Sequence, residues 1–368
     1  MHNPKETILE INLKHVKHNF DYLKSKLKPS INFLAVVKAF AYGNDAITIA
    51  KHLEKIGADY LAVAYTQEGI TLREAGISLP ILVLHPQTSN LKKVIEYCLE
   101  PNIYNKKVLK EFILVSKSEN QKNYPVHLKF NTGLNRLGFG IDDQDFVIEA
   151  IQKTQFLKIK SVFSHLAASE DLNEKAFTLN QIEEFRLISK NILSNLDYKP
   201  LLHICNTSGI LNFPEAHFDM VRSGIGVYGF GNSIEEQKNL IPIASLKTVI
   251  SQIHNLKVGE SVGYNRAYKS NGVNRIATLP IGHADGISRI YGNSKGYVVI
   301  NNQKAPVVGN VCMDMVMVDI TNIECKEGDE VIVFNDVFTA EELAESAATI
   351  SYELITSISQ RVKRKIVE

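Results

Sequence analysis

Short apolar runs alternate with amphipathic stretches from residue 31 to about residue 230. The run Ile31–Val37 is apolar at nearly every position, which is typical of a parallel strand that is buried on both faces. The next segment, Asp45–Gly57, carries apolar residues at helical spacing and ends in glycine, so it predicts a helix with a glycine cap. This strand–helix order then recurs along the chain.

The recurring pattern predicts eight strands and a helix after most of them. The strands are Ile31–Val37, Tyr60–Ala64, Ile81–Leu84, Leu99–Ile103, Val126–Phe130, Ser161–Ser164, Leu201–Ile204 and Met220–Arg222. The helices are Asp45–Gly57, Thr66–Ala75, Lys106–Ser116, Phe146–Lys153 and Glu174–Leu196. Eight such units over about 200–250 residues predict a (β/α)₈ TIM barrel of the α/β class. A doubly wound open sheet is the alternative, but no GxGxxG motif follows the first strand, so its dinucleotide-binding form is not favoured.

The pattern changes after about residue 240. Short β-rich runs such as "GYVVINNQKAPVVG" and "DEVIVFN" are broken there by Gly, Asn and Asp turns, and one predicted helix, Ala340–Ala348, follows a capping Thr339. We therefore expect a barrel domain over residues 12–237 and a mostly β C-terminal domain over residues 238–368. Residues 1–11 are expected to join the second domain.

Composition narrows the classes of function. The chain has 368 residues, 45% hydrophobic and 22% charged, and its net charge of +1 gives no electrostatic reason to expect nucleic acid or a membrane surface as partner. No apolar run is long enough for a membrane span, and no secretion signal is visible. The four cysteines are far apart and form no CxxC pair, so we expect no metal site and a reducing, cytoplasmic location.

Polar residues recur where the predicted strands end. In chain order they are Lys38, Lys129, Arg136, His165, Asn206, Thr207, Ser208 and Arg222. Active sites of (β/α)₈ barrels form at the carboxyl ends of the strands. Each residue alone has an ordinary explanation, such as a surface lysine or a hydrogen-bonded structural histidine. Their coincidence at one end of the barrel predicts a site.

The loops after the last two strands indicate the kind of ligand. Such loops often bind phosphate through backbone N–H groups and small hydroxyls, and here they carry Asn206, Thr207, Ser208, Gly224 and Ile225. Together with a strand-end lysine, they indicate pyridoxal 5'-phosphate, whose aldehyde forms a Schiff base with a lysine amine. A Schiff base would also explain why an apolar strand ends in Lys38, because burying an ordinary ammonium group is costly.

Nine motifs carry a resemblance to a known family. In order they are "AVVKAFAYG", "KFNTGLNRLGFG", "FSHLA", "HICNTSG", "VRSGIGVYG", "VGYNRAY", "PIGHADG", "CMDM" and "SYELITSISQRVKR". With them the chain closely resembles the bacterial alanine racemases over essentially its whole length. The resemblance implies a pyridoxal-phosphate enzyme of fold type III that interconverts L-alanine and D-alanine and supplies D-alanine for peptidoglycan.

The resemblance also implies roles for the site residues. Lys38 would carry the cofactor, Arg222 would hydrogen-bond its ring nitrogen, and Arg136 would reach the ring hydroxyl and the substrate carboxylate. The phosphate and the rest of the cofactor would be contacted by Tyr42, His165, Asn206, Thr207, Gly224, Ile225 and Tyr352. Lys129 is a candidate for carbamylation, which would orient Arg136.

Racemisation needs two bases, because the α-proton is removed on one face and returned on the other. The resemblance implies that Lys38 handles the D-side proton and Tyr264 the L-side proton. Tyr264 and Met313 would reach in from a partner subunit, which implies a homodimer with shared sites. A tyrosine has an ordinary pKa of about 10, so nearby cations are needed to lower it, and His165 coupled to Arg222 is expected to help.

Some positions depart from the common family pattern. They are Phe40, Asn44, Asp45, Asn131, His283 and Asn310. None of these changes removes Lys38 or Tyr264, so they affect the expected substrate specificity more than the expected chemistry. His283 and Asn310 fall where the resemblance places the substrate access corridor, and they leave the breadth of substrates open.

Three other functions fit parts of the sequence. A broad-specificity or serine racemase of the same fold would show nearly the same residues, because fold and motif do not determine substrate. A decarboxylase of similar architecture would need a catalytic cysteine and an acidic partner for the ring nitrogen, and Arg222 argues against it. A non-catalytic carrier of the cofactor would lack the second domain, which contains Tyr264.

Overall fold

The computed structural model describes residues 6–367. Its strands, numbered in chain order, are β1 (Ile8–Asn12), β2 (Asn32–Val36), β3 (Tyr60–Val63), β4 (Ile81–Val83), β5 (Glu100–Ile103), β6 (Tyr124–Lys129), β7 (Leu157–Phe163), β8 (Leu201–His203), β9 (Met220–Ser223), β10 (Ala244–Val249), β11 (Gln252–Leu256), β12 (Ser261–Val262), β13 (Tyr268–Lys269), β14 (Asn274–Leu279), β15 (Tyr297–Ile300), β16 (Gln303–Pro306), β17 (Val316–Asp319), β18 (Glu330–Phe334) and β19 (Lys363–Val367).

The helical segments follow the same numbering. They are α1 (Leu13–Lys24), α2 (Lys38–Gly43), α3 (Ala46–Ile56), α4 (Thr66–Glu74), α5 (Leu91–Glu96), α6 (Lys106–Ser118), α7 (Gln144–Gln152), α8 (Lys175–Ser194), α9 (Thr207–Asn212), α10 (Ile234–Gln237), α11 (Ala340–Ser346) and α12 (Ser351–Ser357). Short 3₁₀ turns cover Thr88–Asn90, Ile141–Asp143, Leu172–Glu174, Pro214–Ala216, Ile225–Tyr228, Tyr264–Arg266, His283–Asp285 and Arg289–Tyr291. Within residues 6–367, no helix has both the length and the apolar character that crossing a membrane requires.

Strands β2 to β9 form a parallel sheet that curls into a nearly closed barrel. Their hydrogen-bonded order is β8-β7-β6-β5-β4-β3-β2-β9. Between β8 and β9, single backbone bonds from Asp219 N to Leu202 O (3.0 Å) and from Arg222 N to Cys205 O (3.1 Å) join the two edges. The predicted (β/α)₈ barrel is therefore confirmed, with every predicted strand displaced by a few residues at most.

Helix α1 lies outside the predicted helices. Asn12 caps it, and Val16, Phe20 and Leu23 bury one of its faces at helical spacing. Lys17, His18 and Asp21 lie between these apolar residues, so the segment has the amphipathic pattern of a surface helix. The predicted helix Asp45–Gly57 is confirmed as α3. The Asp45 side chain caps its N-terminus, and Gly57 caps its C-terminus in a left-handed conformation.

The second part of the chain is mostly β, as predicted. A six-stranded sheet has the order β16-β15-β18-β10-β1-β19, and a three-stranded sheet has the order β11-β14-β17. Strand β1 thus pairs with β10 and, in parallel, with β19, so the two chain termini meet in this sheet. Residues 1–5 and residue 368 lie outside the described residues. The expectation that residues 1–11 join the second domain, and the domain boundary at residue 237, stay predictions.

The chain leaves β2 through a left-handed turn. Ala39, Phe40, Ala41 and Tyr42, all within α2, have φ between 52 and 55°, and Gly43 follows at 83°. A left-handed conformation costs an ordinary L-residue roughly 1–2 kcal/mol, so surrounding contacts must hold the turn in place. The turn brings the side chains of both Lys38 and Tyr42 to the cavity at the carboxyl ends of the barrel strands.

Contacts from the C-terminal segment hold this turn. The Arg364 guanidinium donates hydrogen bonds to the carbonyl oxygens of Gly43 (2.8 Å) and Asn44 (3.2 Å), and it also bonds Ile358 O (3.0 Å). The Asn44 side chain donates to Ala41 O at 2.8 Å. The two departures Asn44 and Asp45 therefore have structural roles here, since Asn44 bonds the turn and Asp45 caps α3.

Replacing Gly43 by alanine should destabilise the protein more than the same change at Gly76. Both glycines are left-handed, at φ 83° and 89°, so each alanine should cost about 1 kcal/mol in backbone strain. A Cβ on Gly43 would also lie 1.9 Å from Ile355 O, whereas a Cβ on Gly76 would have no atom of the described residues within 4 Å. Overpacking should add about 1–3 kcal/mol at Gly43 alone. Urea unfolding of both variants measures the difference, and equal losses would contradict this account of the turn.

Candidate active site

A cavity of about 570 Å³ opens at the carboxyl ends of the barrel strands. Most of the residues predicted from the sequence line it: Lys38, Tyr42, Lys129, Arg136, His165, Asn206, Thr207, Arg222, Gly224, Ile225 and Tyr352. None of the described lining residues is acidic. The cavity therefore has the size and the charge expected for a small anionic ligand.

Arg222 lies at the inner wall of this cavity and is almost fully buried. Its guanidinium donates to Nδ1 of His203 (2.6 Å), to Nδ1 of His165 (3.1 Å) and to the carbonyl oxygens of two strand-end residues, Ser164 and Ile204. Within residues 6–367, none of its hydrogen-bond acceptors is a carboxylate. Burial lowers the pKa of Arg222 to about 10, so it stays a cation near neutral pH.

The lysines of the cavity are influenced by this cation and by each other. Burial, followed by repulsion from Arg222, Arg136 and Lys38, lowers the pKa of Lys129 to about 8. Burial and repulsion from Arg136 likewise lower the pKa of Lys38, although Glu68 acts in the opposite direction. Both amines thus lose their protons more easily than exposed lysines do, which is a property of nucleophilic and basic lysines.

His165 is held as a neutral imidazole. Burial, and then the Arg222 guanidinium, keep its pKa well below the usual range. Since arginine can only donate, Nδ1 of His165 accepts and its proton resides on Nε2. The expected effect of His165, coupled to Arg222, on the pKa of Tyr264 stays a prediction, and the positive charge of this pair belongs to Arg222.

Hydroxyl groups and closely packed backbone form another wall of this cavity. The Tyr42 ring stacks on Tyr228 with centroids 4.5 Å apart, and burial raises the pKa of the Tyr42 hydroxyl. A Cβ on Gly224 would lie 2.1 Å from the Tyr42 oxygen, so only glycine fits there. Thr207 is the first residue of α9, and its Oγ1 lies 3.0 Å from Ser223 Oγ. Neutral hydroxyls and first-turn N–H groups together provide donors for an anion.

The side chains of Asn206 and Asn131 form hydrogen bonds within the protein. The Asn206 side chain caps α9 by accepting from Gly209 N at 2.9 Å, and it also accepts the Ser169 hydroxyl at 2.7 Å. Asn131 bonds both the backbone and the side chain of Asn135, which shapes the loop before Arg136. Each asparagine therefore positions a loop whose next residues line the cavity.

Tyr264 and Met313 lie apart from the other predicted residues. They line a separate, more open cavity of about 780 Å³ on the β part of the chain, and their side chains are 75% and 59% exposed. Asn310 donates to Tyr264 O at 3.3 Å, and His283 N–H donates at 2.9 Å to Cys312 O, next to Met313. His283 and Asn310, which differ from the common family pattern, therefore lie beside Met313 and Tyr264. Within one chain, Tyr264 is not brought to Lys38.

Some lining residues were not predicted from the sequence. Asn232 accepts the Tyr352 hydroxyl at 3.0 Å and donates to Ser208 Oγ at 2.8 Å, while the buried Glu236 carboxylate accepts from Ser208 at 3.0 Å. Asn232 lies in an ordinary Gly-Asn-Ser loop, which carries no chemical signal. His85 gave a usable signal, because it follows β4 at the same end of the barrel as the predicted residues.

Comparison with known proteins gives one consistent result. The family model for the alanine racemase N-terminal domain matches residues 11–231, and the model for the alanine racemase C-terminal domain matches residues 243–366. The alanine racemase of Thermodesulfovibrio yellowstonii is 38% identical over 366 residues, which are 97% of each chain. The solved alanine racemase of Clostridium difficile has a TM-score of 0.92 at 34% identity and covers 99% of this chain and 96% of its own. The structure from Bacillus anthracis with bound L-Ala-P has a TM-score of 0.91 at 30% identity, with 100% and 96% covered.

The pH dependence of stability should reveal the buried Lys129 amine. Its pKa of about 8 lies below the ordinary lysine value of 10.5, so the unfolded chain binds more protons between these values and stability rises with pH there. Relative to Lys129→Met, the wild-type free energy of unfolding should increase by roughly 2–3 kcal/mol from pH 7 to pH 10. Urea unfolding across this range measures it, with the exposed Lys122→Met as control. A flat difference would show that Lys129 is not buried as a cation.

Proposed function

The chain belongs to the alanine racemase family, and on that premise we propose that it interconverts L-alanine and D-alanine with pyridoxal 5'-phosphate as cofactor. D-Alanine made in this way would supply peptidoglycan synthesis. The observation that carries the proposal is a cavity in which three features meet: a strand-end lysine, a buried arginine with no carboxylate acceptor among residues 6–367, and a wall of hydroxyls.

The residues present fit a phosphate-bearing pyridine. The cradle around Gly224 is so tight that a Cβ would collide with the Tyr42 oxygen, and the hydroxyls of Tyr42, Thr207 and Tyr352 line the same cavity. Arg222 bonds no carboxylate in the described part of the chain, which supports a role as donor to the ring nitrogen. When bound, the cofactor supplies an electron-withdrawing ring that makes the α-proton of an amino acid more acidic.

Two bases of this chain would move that proton. Lys38 has a lowered pKa, so its free amine is available for proton transfer nearer to neutral pH than an exposed lysine would be. Tyr264 would be the second base. Its exposure and its distance from the barrel cavity support a site to which a second copy of the chain contributes Tyr264 and Met313. The protein would therefore act as a homodimer.

The arginines would orient the reacting groups. Arg222 would donate to the ring nitrogen and so leave it unprotonated, which limits electron withdrawal and disfavours side reactions. His165 is neutral and accepts a hydrogen bond from Arg222 through Nδ1. Its Nε2–H would act as a hydrogen-bond donor to the second base. Arg136 would bind the substrate carboxylate, as guanidinium groups commonly do.

Lys129 would be a carbamylation site. Addition of CO₂ needs the neutral amine, and a pKa of about 8 leaves a reactive fraction at neutral pH. The amine nitrogen would attack the carbon of CO₂ and release one proton, which leaves a carbamate anion beside Arg136. Such an anion would offset part of the positive charge that lowers the pKa of this amine.

Exchange of α-protons in D₂O tests the activity. The purified protein, pyridoxal phosphate and a mixture of L-amino acids are followed by proton NMR. We expect the α-proton signal of alanine alone to vanish while a chiral assay of the same sample detects D-alanine, and Lys38→Ala to slow both by at least about 10²-fold. Exchange of several amino acids would instead identify a broad-specificity racemase, and no exchange at all would refute the proposed function.

Mixed dimers test whether the site is shared between subunits. Lys38→Ala and Tyr264→Phe should each lower activity by about 10²–10⁴-fold, because each removes one base. Co-expressed and randomly mixed, they should recover about a quarter of wild-type activity, since half of the dimers are mixed and each mixed dimer has one intact site in two. If both bases acted within one chain, mixing would recover nothing.

A further inference from the structure

Five hydrogen-bonded side chains form a line through the barrel and end at Arg222. Arg222 Nη1 lies 2.6 Å from His203 Nδ1, and His203 Nε2 lies 2.8 Å from Ser161 Oγ. Ser161 Oγ then lies 2.6 Å from His127 Nδ1, and His127 Nε2 lies 2.6 Å from Glu100 Oε2. We call Glu100, His127, Ser161, His203 and Arg222 the interior network.

The barrel strands place these side chains at matching heights. His127 on β6 is directly paired with Ser161 on β7, and Phe163 on β7 is paired with His203 on β8. The His203 ring stacks on Phe163 with centroids 4.7 Å apart and 5° between the planes. All three polar residues between Glu100 and Arg222 are fully buried, so water does not compete for their hydrogen bonds.

One arrangement of protons satisfies every link. Arginine has no acceptor, so His203 Nδ1 must accept and its proton must be on Nε2, where it is donated to Ser161. The Ser161 hydroxyl is then free to donate to His127 Nδ1, and His127 donates from Nε2 to Glu100. Burial and the neighbouring Arg222 hold the pKa of His203 well below its usual range, which agrees with a neutral ring. Every donor points from Arg222 toward Glu100.

The network links a buried cation to a distant carboxylate. Arg222 has no carboxylate among its acceptors in the described part of the chain, and Glu100 is the acid at the other end of the line. A carboxylate that accepts from one nitrogen of an imidazole makes the other nitrogen a better acceptor and fixes its tautomer. Hydrogen bonds in series polarise one another, so this effect reaches His203 through Ser161.

We infer that Glu100, His127 and Ser161 are positioning residues that act through His203 to hold the Arg222 guanidinium in one orientation toward the cavity. The part of this inference that concerns the cofactor rests on the proposed function, since Arg222 would there meet the ring nitrogen. The part that concerns the His203 tautomer and Arg222 does not depend on any ligand.

Nitrogen-15 NMR of selectively histidine-labelled, cofactor-free protein tests the tautomer. In the wild type, His203 should show an unprotonated Nδ1 and a protonated Nε2. Ser161→Ala removes the partner of His203 Nε2, so the ring should leave Arg222 in part of the molecules and His203 should show a mixture of tautomers, while Ser161→Thr keeps the hydroxyl and should retain the wild-type signals. Ser116→Ala is the matched control, because Ser116 is also buried and its hydroxyl has no partner among the described residues.

Equilibrium binding of pyridoxal phosphate to the cofactor-free protein tests the consequence for Arg222. Ser161→Ala should raise the Kd about tenfold, Glu100→Gln should raise it less because an amide oxygen still accepts, and Ser116→Ala should change it less than twofold. Equal effects of Ser161→Ala and Ser116→Ala, or an unchanged His203 tautomer in Ser161→Ala, would overturn the inference. A tautomer change in a protein that never binds the cofactor would support the network and refute the proposed function.

Discussion

Four cationic side chains meet at one end of the barrel without an acidic residue among the described residues that line their cavity. Lys38, Lys129, Arg136 and Arg222 repel one another, and this repulsion adds to burial in lowering the pKa of the two lysines. A folded chain keeps such a cluster only if other interactions outweigh its cost. The same excess of positive charge that opposes folding favours the binding of an anion, so the stability and the function of this region are coupled.

The interior network is one of the interactions that stabilise this cluster of cations in the folded protein. Most barrel interiors are filled by branched apolar side chains, whereas here a line of polar groups crosses from β5 to β9 with each hydrogen bond satisfied. Neutral imidazoles are suitable acceptors for a buried guanidinium, because a carboxylate in direct contact would neutralise the charge that the cavity presents. The barrel thus stabilises Arg222 without neutralising it locally.

The C-terminal segment makes a second contribution. The turn after β2 is left-handed at four residues that are not glycine, and hydrogen bonds from Arg364 hold it from the other part of the chain, where the Ile355 carbonyl packs closely against Gly43. Tyr352, which lines the cavity, lies on the same helix α12 that packs against Gly43. The β part of the chain therefore completes the barrel cavity and at the same time keeps Lys38 in position.

The eight strands, the helices that follow most of them and the end of the barrel at which the polar residues gather could be predicted from the sequence, because apolar periodicity and strand-end position are local properties. The sequence also indicated the family, through motifs whose order and spacing are visible without a structure. Three other features became visible only in the folded structure: the left-handed turn, the interior network and the place of Tyr264 in a cavity separate from that of Lys38. The turn opposes local backbone preference and is held by a residue 321 positions later, and the network exists only after β5 to β9 have been brought together by barrel closure. Tyr264 lies on a different part of the fold, and no pattern along the chain measures that distance.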